Sequence, residues 1–285
     1  MEKEQIEQEK KKIVNQAKND PFLAKIILQN NMNDGEIFLK YIDLIDIKMR
    51  SLEPEKYITE IEIKRNEKGE LVTEYFYANN NKARDYLIKN NIFFSNLGGV
   101  KYKKFFTEIN VDENNFFDLY KYQEKFKSKI FDQKFLDTLK GIFLHSNNEA
   151  NKERLLSSIA NNLAYANKKV AYVNIFYLIF EVKKTFGSAK LTEEFFYIEE
   201  LIDIDVLILD GIGSDWLPMW FLPSLIKILD FRERKNKLTY FGSEIPLNDI
   251  EKNIDNPKKD LYALKRINRL KKIINSLIEC EVWIE

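Results

Sequence analysis

The chain of 285 residues holds one cysteine, Cys280, and one histidine, His145. One cysteine cannot form a disulfide within the chain. A Cys/His zinc site, which needs about four ligands, is excluded on the same count. Cysteine this scarce fits a reducing cytoplasm. Net charge is also missing: 45 basic residues balance 45 acidic ones. Composition therefore gives no push toward nucleic acid or membrane, and any DNA contact must come from a local patch. No apolar run reaches the length of a membrane span. No early apolar segment resembles a signal peptide; the start, MEKEQIEQEKKKIVNQAK, is charged and helical in pattern. There is no internal repeat and no low-complexity tail. The expectation is a soluble cytoplasmic protein of one or two domains with no membrane partner.

What is present falls into two patterns. Residues 2–50 read as short helices. Asp20 caps a helix that starts at Pro21, because proline in the first helical position loses no needed N–H. Phe22, Leu23, Ile26 and Ile27 give it an apolar face. A second helix is predicted over 34–49, with Ile37, Phe38, Tyr41, Ile42 and Ile45 in phase. The period then changes to two. Tyr57 to Lys64 and Glu70 to Tyr77 alternate around the turn Asn66-Glu67-Lys68-Gly69, which makes a β-hairpin. Asn79 to Asn90 reads as a polar link.

From about residue 92 the pattern is alternating α/β. Strands are predicted at 141–145, 170–174, 205–210, 238–243 and 281–284, with helices at 152–166, 175–186, 192–202, 219–234 and 260–275. Strands rich in Val, Ile and Leu that alternate with helices argue for a parallel sheet covered on both faces. The stretch Trp216 to Leu222, with Trp220, is unusually apolar: either core or a hydrophobic contact to another protein. His145 ends an apolar strand and takes no catalytic role. Cys280 reads as a buried small hydrophobe.

Two of these strands end where a phosphate-binding site would lie. GIFLHSNNEANKERLL, 141–156, stands where a P-loop would read G-x-x-x-x-G-K-[ST]. That window holds Ser146, Asn147, Asn148, Glu149, Ala150, Asn151, Lys152 and Glu153, so only the lysine remains. VLILDGIG, 206–213, keeps Asp210, but Gly211 follows where a second acid is usual. Lys152 is expected at a helix N-terminus after a central strand. Asp210 is expected at the C-terminal end of an adjacent strand, since such sites form where parallel strands end.

Residues 141–285 resemble bacterial replicative-helicase loaders, AAA+ proteins of the DnaI/DnaC type. GIFLHSNNEANKERLLSSIANNLA is similar to their GLYLYG-x4-GKT-x-LL-x-AIANELA, and VLILDGIGSD to their VLILDDIGAE. Trp220, Leu229-Asp230-Phe231-Arg232, Leu238 to Glu244 and Lys265 to Leu270 follow their later motifs. The helices and tyrosine-rich hairpin resemble the primosomal form more weakly. That form carries zinc beside the hairpin. Here Ala78 stands about where a ligand cysteine would follow, so no zinc is expected. The aromatics at 75–77 and 93–106 are expected to replace it by packing.

The resemblance implies a P-loop AAA+ core over 92–285, preceded by a small α+β helicase-binding domain over 1–91. It implies ATP or ADP with Mg²⁺ at Ser146, Asn147, Asn148, Asn151, Lys152, Glu153 and Asp210. Asparagine tolerates left-handed backbone, so Asn147, Asn148 and Asn151 either curl into a cradle or are plain loop residues. Lys152 either reaches a phosphate or is a solvated lysine. Glu153 replaces the hydroxyl that ligates Mg²⁺. It reads, with Glu149, either as a stand-in for the anion at the helix N-terminus or as an exposed glutamate. Asp210 either holds Mg²⁺ through water or ends a buried strand. Gly211 removes the acid that would polarise water, and Glu244 replaces a polarising asparagine. Arg266 or Arg269 resembles an arginine finger, against the alternative of a solvated basic face. No catalytic residue is assigned; Asp210 and Arg269 are vestigial candidates. Hydrolysis is expected to be negligible, and weak nucleotide binding stays open.

The implied function is helicase loading at the initiation of DNA replication. The implied partners are the replicative DNA helicase, single-stranded DNA, other primosome proteins and further copies of the chain. The competing readings are an AAA+ adaptor without a nucleotide cycle and an ATPase helper of transposition.

Overall fold

The computed structural model describes residues 2–94, 98–184, 198–213, 217–254 and 261–285. Backbone proximity divides the chain into two compact units, Met1–Tyr86 and Leu87–Glu285.

The first unit starts with four helices: α1 (Glu2–Asn19), α2 (Pro21–Gln29), α3 (Asp34–Leu39) and α4 (Tyr41–Leu52). A hairpin follows, β1 (Thr59–Arg65) paired antiparallel with β2 (Leu71–Tyr77). Val14, Ala17, Leu23, Ile27, Ile37, Leu44 and Ile63 form its core. Asp20 caps α2 as expected, its Oδ1 accepting from the N–H groups of Phe22 and Leu23 at 3.0 and 3.2 Å. The single helix predicted over 34–49 is in fact two. Lys40 leaves the helical region at φ −99°, ψ 9°. Its ammonium reaches Asp43 at 3.2 Å and the Thr73 hydroxyl of the hairpin at 2.7 Å. The apolar phase runs on across this break, which hides it from periodicity.

Polar contacts tie the hairpin to the helices. The Arg65 guanidinium donates to the carbonyls of Asn30, Asn31 and Gly69 and pairs with Glu36 at 3.0 Å. That pairing holds the Glu36 carboxyl below its usual range. At the turn Gly69 takes φ +78°, the left-handed backbone that glycine adopts freely. The expected aromatic replacement for zinc is not found here. Tyr75, Phe76 and Tyr77 are 61%, 40% and 44% exposed. Phe105 and Phe106 are buried in the second unit instead.

The stretch read as a polar link is a helix, α5 (Asn81–Asn91), and the division between units falls within it. The Asn80 side chain accepts from the Ala83 N–H at 2.8 Å and so starts it. Only Ala83 and Leu87 are buried along it, too few apolar anchors to show as a stripe.

The second unit is built on a six-stranded parallel sheet, as the alternating pattern predicted. Its strands are β3 (Ile92–Phe93), β4 (Gly141–His145), β5 (Val170–Asn174), β6 (Val206–Asp210), β7 (Leu238–Ser243) and β8 (Ile278–Trp283). Their order is β3-β5-β6-β7-β4-β8. The two-residue edge strand β3 was not predicted. On one face lie α6 (Phe117–Lys129), α7 (Gln133–Leu136) and α8 (Glu149–Tyr165), packed on Ile142, Leu144, Val170, Tyr172, Ile208 and Tyr240. On the other lie α9 (Ile175–Lys184), α10 (Leu222–Arg234) and α11 (Leu261–Leu277), packed on Phe143, Ala171, Val173, Leu207, Leu209 and Phe241. The two sets alternate along each strand, as a period of two requires. Of the helix predicted at 192–202, residues 198–203 are described and helical; the remainder lies outside the described residues.

Arg232, near the end of α10, is fully buried. Its guanidinium donates to Thr239 Oγ1 at 2.9 Å and to the carbonyls of Leu201, Ile204 and Leu238 at 3.0, 2.8 and 2.7 Å. It thus caps the helical stretch at 198–203 and fastens α10 to β7. Burial lowers its pKa to about 9, with Asp205 and Asp203 pulling back up, so it stays charged at pH 7. Leu217, Phe221 and Leu222 join the core, while Trp220 stays 38% exposed; Trp216 lies outside the described residues. Cys280 is half-buried rather than buried, and burial pushes its thiol up to about 11.

Candidate functional site

The site forms at the C-terminal end of the sheet, where β4 passes into α8. Ser146, Asn147 and Asn148 make the whole connection. The Ser146 N–H donates to the Ser243 carbonyl at 3.0 Å, which continues the pairing of β4 with β7 by one residue. The Ser146 hydroxyl accepts from the Asn148 N–H at 2.9 Å. Asn148 is the N-cap of α8; its Oδ1 accepts from the Asn151 N–H at 3.3 Å, and its carbonyl accepts from the Lys152 N–H at 3.2 Å. Asn151 donates through Nδ2 to the Glu285 carbonyl at 2.7 Å.

This is not a phosphate cradle. Among described non-glycine residues only Asn31, Phe94, Asn167 and Asn236 have positive φ, so Asn147, Asn148 and Asn151 do not curl. Positions 149–151, loop in a P-loop, are the first turn of α8. The physical reason is the cap: asparagine at 148 stabilises a helix start there, without the glycines that would keep the chain out of helix.

Lys152 is neither solvated nor aimed outward. It is 2% exposed, and its Nζ lies 3.2 Å from Asp210 Oδ1. Asp210, also 2% exposed, ends β6. Its Oδ2 accepts from the Tyr172 hydroxyl at 3.0 Å, and its Oδ1 accepts from the Gly211 N–H at 2.8 Å. Gly211 turns the chain at φ +82°. Burial and the Asp210 charge push the Tyr172 phenol well above its ordinary pKa, which keeps it a donor.

Lys152 and Asp210 share one end of the sheet, as expected, but not on neighbouring strands: β7 lies between β4 and β6. They meet across it because β7 has Gly242 there. A Cβ at 242 would stand 2.3 Å from Asp210 Oδ1 and 2.7 Å from Leu156 Cδ1.

Glu153 is no stand-in anion at the helix N-terminus. It is the fifth residue of α8, and its carboxylate pairs with Lys101 at 2.5 Å, an ion pair that raises the Lys101 pKa. Residues 101–107 run along α8. Asn161 donates to the carbonyls of Tyr102 and Lys104, and Asn162 accepts from the Thr107 N–H at 3.0 Å. Glu244 is exposed just beyond β7, and Arg266 is exposed on α11. Arg269 is gathered elsewhere: with Arg234 it grips Asp230 at 2.7 and 2.6 Å, which lowers the Asp230 pKa. His145 has its imidazole 3.6 Å from Glu281, and burial lowers its pKa.

Sequence reasoning missed Tyr172 and Gly242. A tyrosine inside the buried run VAYVN signals a hydroxyl in need of a partner, which is the one clue the sequence offered. It also missed a cavity of about 480 Å³ beside the first turns of α8, lined by Ile109, Phe116, Leu155 and Ile284 with Lys104 and Arg154.

The residues present do not fit a Mg²⁺–triphosphate. The Asn148 and Asn151 amides are bonded within the loop, to Ser146 and Asn148, and both Asp210 oxygens are taken. Among the described residues no group of three or more His, Cys, Asp or Glu could hold a metal ion, and no helix is long and apolar enough to cross a membrane.

No protein-family model and no curated protein matches the chain. Solved structures are. The crystal structure of DnaI matches 70% of this chain and 96% of its own, at 20% identity and a TM-score of 0.52. AMPPCP-bound DnaA from Aquifex aeolicus matches 65% of this chain and 51% of its own, at 15% identity and a TM-score of 0.49. The DnaC helicase loader matches 62% and 92%, at 15% identity and a TM-score of 0.42. The six-stranded sheet and its helices are therefore the fold that this chain shares with DnaI.

Proposed function

We propose that this protein is a helicase loader of the DnaI/DnaC kind that acts in DNA replication as a binding scaffold, without a cycle of ATP hydrolysis. The observation that carries the loader half is the fold shared with DnaI over 70% of the chain, together with the run VLILDGIG at the site. The scaffold half rests on the buried Lys152–Asp210 pair, which takes the two remaining nucleotide-site residues out of use.

In this reading the first unit, expected over 1–91, meets the replicative helicase, and the AAA+ unit, expected over 92–285, meets single-stranded DNA and sister subunits. Exposed apolar side chains support the first part. Leu28, Leu39, Ile42 and Leu52 of α2–α4 are 74%, 79%, 81% and 66% exposed. Apolar helix faces of this sort dock into partner grooves.

The test is a loading assay. Purified helicase and circular single-stranded DNA are mixed with and without this protein, and DNA-bound helicase is measured. More bound helicase with the protein, to the same extent with and without ATP, supports the reading, and loading only with ATP defeats its scaffold half. No change in either condition defeats it.

A further inference from the structure

We propose that the Lys152 ammonium has taken over the structural role of a bound nucleotide, making the AAA+ unit self-complete and indifferent to ATP. This rests on the scaffold reading above and names what replaces the nucleotide cycle. A buried lysine and a buried aspartate are each costly alone and are tolerated as a pair with further hydrogen bonds. Here that requirement is met. The Asp210 carboxylate receives Lys152 and the Gly211 N–H on one oxygen and the Tyr172 hydroxyl on the other. The described residues leave no buried side-chain N or O without a partner.

The pair joins three elements. Lys152 belongs to α8, Asp210 ends β6, and Tyr172 comes from β5. Gly242 of β7 leaves the gap in which they meet. In a nucleotide-bound P-loop site the lysine contacts the phosphates and the strand aspartate helps to hold the metal. Here the two are joined directly, in a space with no room for even one added carbon at 242. The Asn148 cap adds to the arrangement, since its side chain takes one of the N-terminal amides of α8, that of Asn151, which would otherwise be open to an anion. Tyr172 is then a positioning residue that fixes the carboxylate toward Lys152.

The test is thermal unfolding of the full chain with no ligand, with Mg·ADP and with Mg·ATP, for wild type, Lys152→Met, Asp210→Asn, the double variant and Tyr172→Phe. The wild-type Tm should be the same in all three conditions. Each single charge-removing change should lower it by on the order of 10 °C, and the double variant by less than the sum. Tyr172→Phe, a milder change that keeps the ring, should lower it by a few degrees at most and should leave it unresponsive to nucleotide. Two results would overturn the proposal: a wild-type Tm that rises with Mg·ADP or Mg·ATP, or a ligand-free Lys152→Met whose Tm equals that of wild type. If a single variant fails to fold, the wild-type nucleotide response still decides. Helicase binding by wild type and by Tyr172→Phe, measured in parallel, distinguishes failure of the inference from failure of the loader reading. Retained binding with a nucleotide-responsive wild type sinks this inference alone, whereas lost wild-type binding with an unresponsive Tm sinks the loader reading alone.

Discussion

Replacing Arg232 with methionine should be among the most damaging single changes in the second unit. Methionine fills most of the same space but donates nothing. The carbonyls of Leu201, Ile204 and Leu238, now bonded at 3.0, 2.8 and 2.7 Å, would be left in the interior without that donor. Each stranded acceptor costs about 1 kcal/mol or more, so the loss should be about 3–5 kcal/mol. Removing the buried charge gives back part of its desolvation cost, which places the value toward the lower end. At about 2–4 °C per kcal/mol for a unit of this size, Tm should drop by roughly 6–20 °C. Urea unfolding followed by circular dichroism reads the same quantity, and the midpoint should fall with an unchanged slope. Arg232→Lys keeps the charge but cannot span the carbonyls, and should recover less than half of the loss. A methionine variant within about 1 kcal/mol of wild type would refute the reasoning and mark the guanidinium contacts as dispensable.

Gly242→Ala should destabilise by about 1–3 kcal/mol, since its Cβ must displace Asp210 or Leu156; denaturant titration reads this. Asn148→Ala removes the cap of α8 and should cost about 1 kcal/mol by the same measurement. The His145 pKa is depressed on folding, so the unfolded chain binds the extra proton first: stability is present above the unfolded value and falls as pH drops through about 6.5 toward the folded one. In His145→Gln that share of the acid sensitivity, measured as Tm against pH, should vanish. Leu39→Asp with Ile42→Asp should leave the circular dichroism spectrum intact while abolishing retention of the helicase, because both side chains are already exposed.

Much of the fold could be read from particular residues. The strands at 141–145, 170–174 and 238–243 match the prediction to the residue, because each is a short apolar run covered on both faces and bounded by polar residues. What failed did so where local pattern carries no information. α5 has two buried anchors among polar residues, and the break at Lys40 is set by a contact to Thr73, 33 positions away in sequence. Arg232 lies within a helix predicted from its apolar phase, yet it is buried because it finds carbonyls from a distant segment. At the site, the identities of Lys152 and Asp210 and their shared end of the sheet were legible. Their direct pairing was not, because it depends on Gly242 being on the strand between them.

One measurement addresses both the proposed helicase partner and the proposed idle nucleotide site. The full-length protein is mixed with the purified hexameric replicative helicase of the same cell, and the mixture is resolved by size-exclusion chromatography with light scattering. The run is made without nucleotide and again with Mg·ATP. The account predicts a complex of the same mass and the same affinity in both runs. A complex that forms only with Mg·ATP would contradict the idle site, and the absence of a complex in both runs would contradict the loader itself.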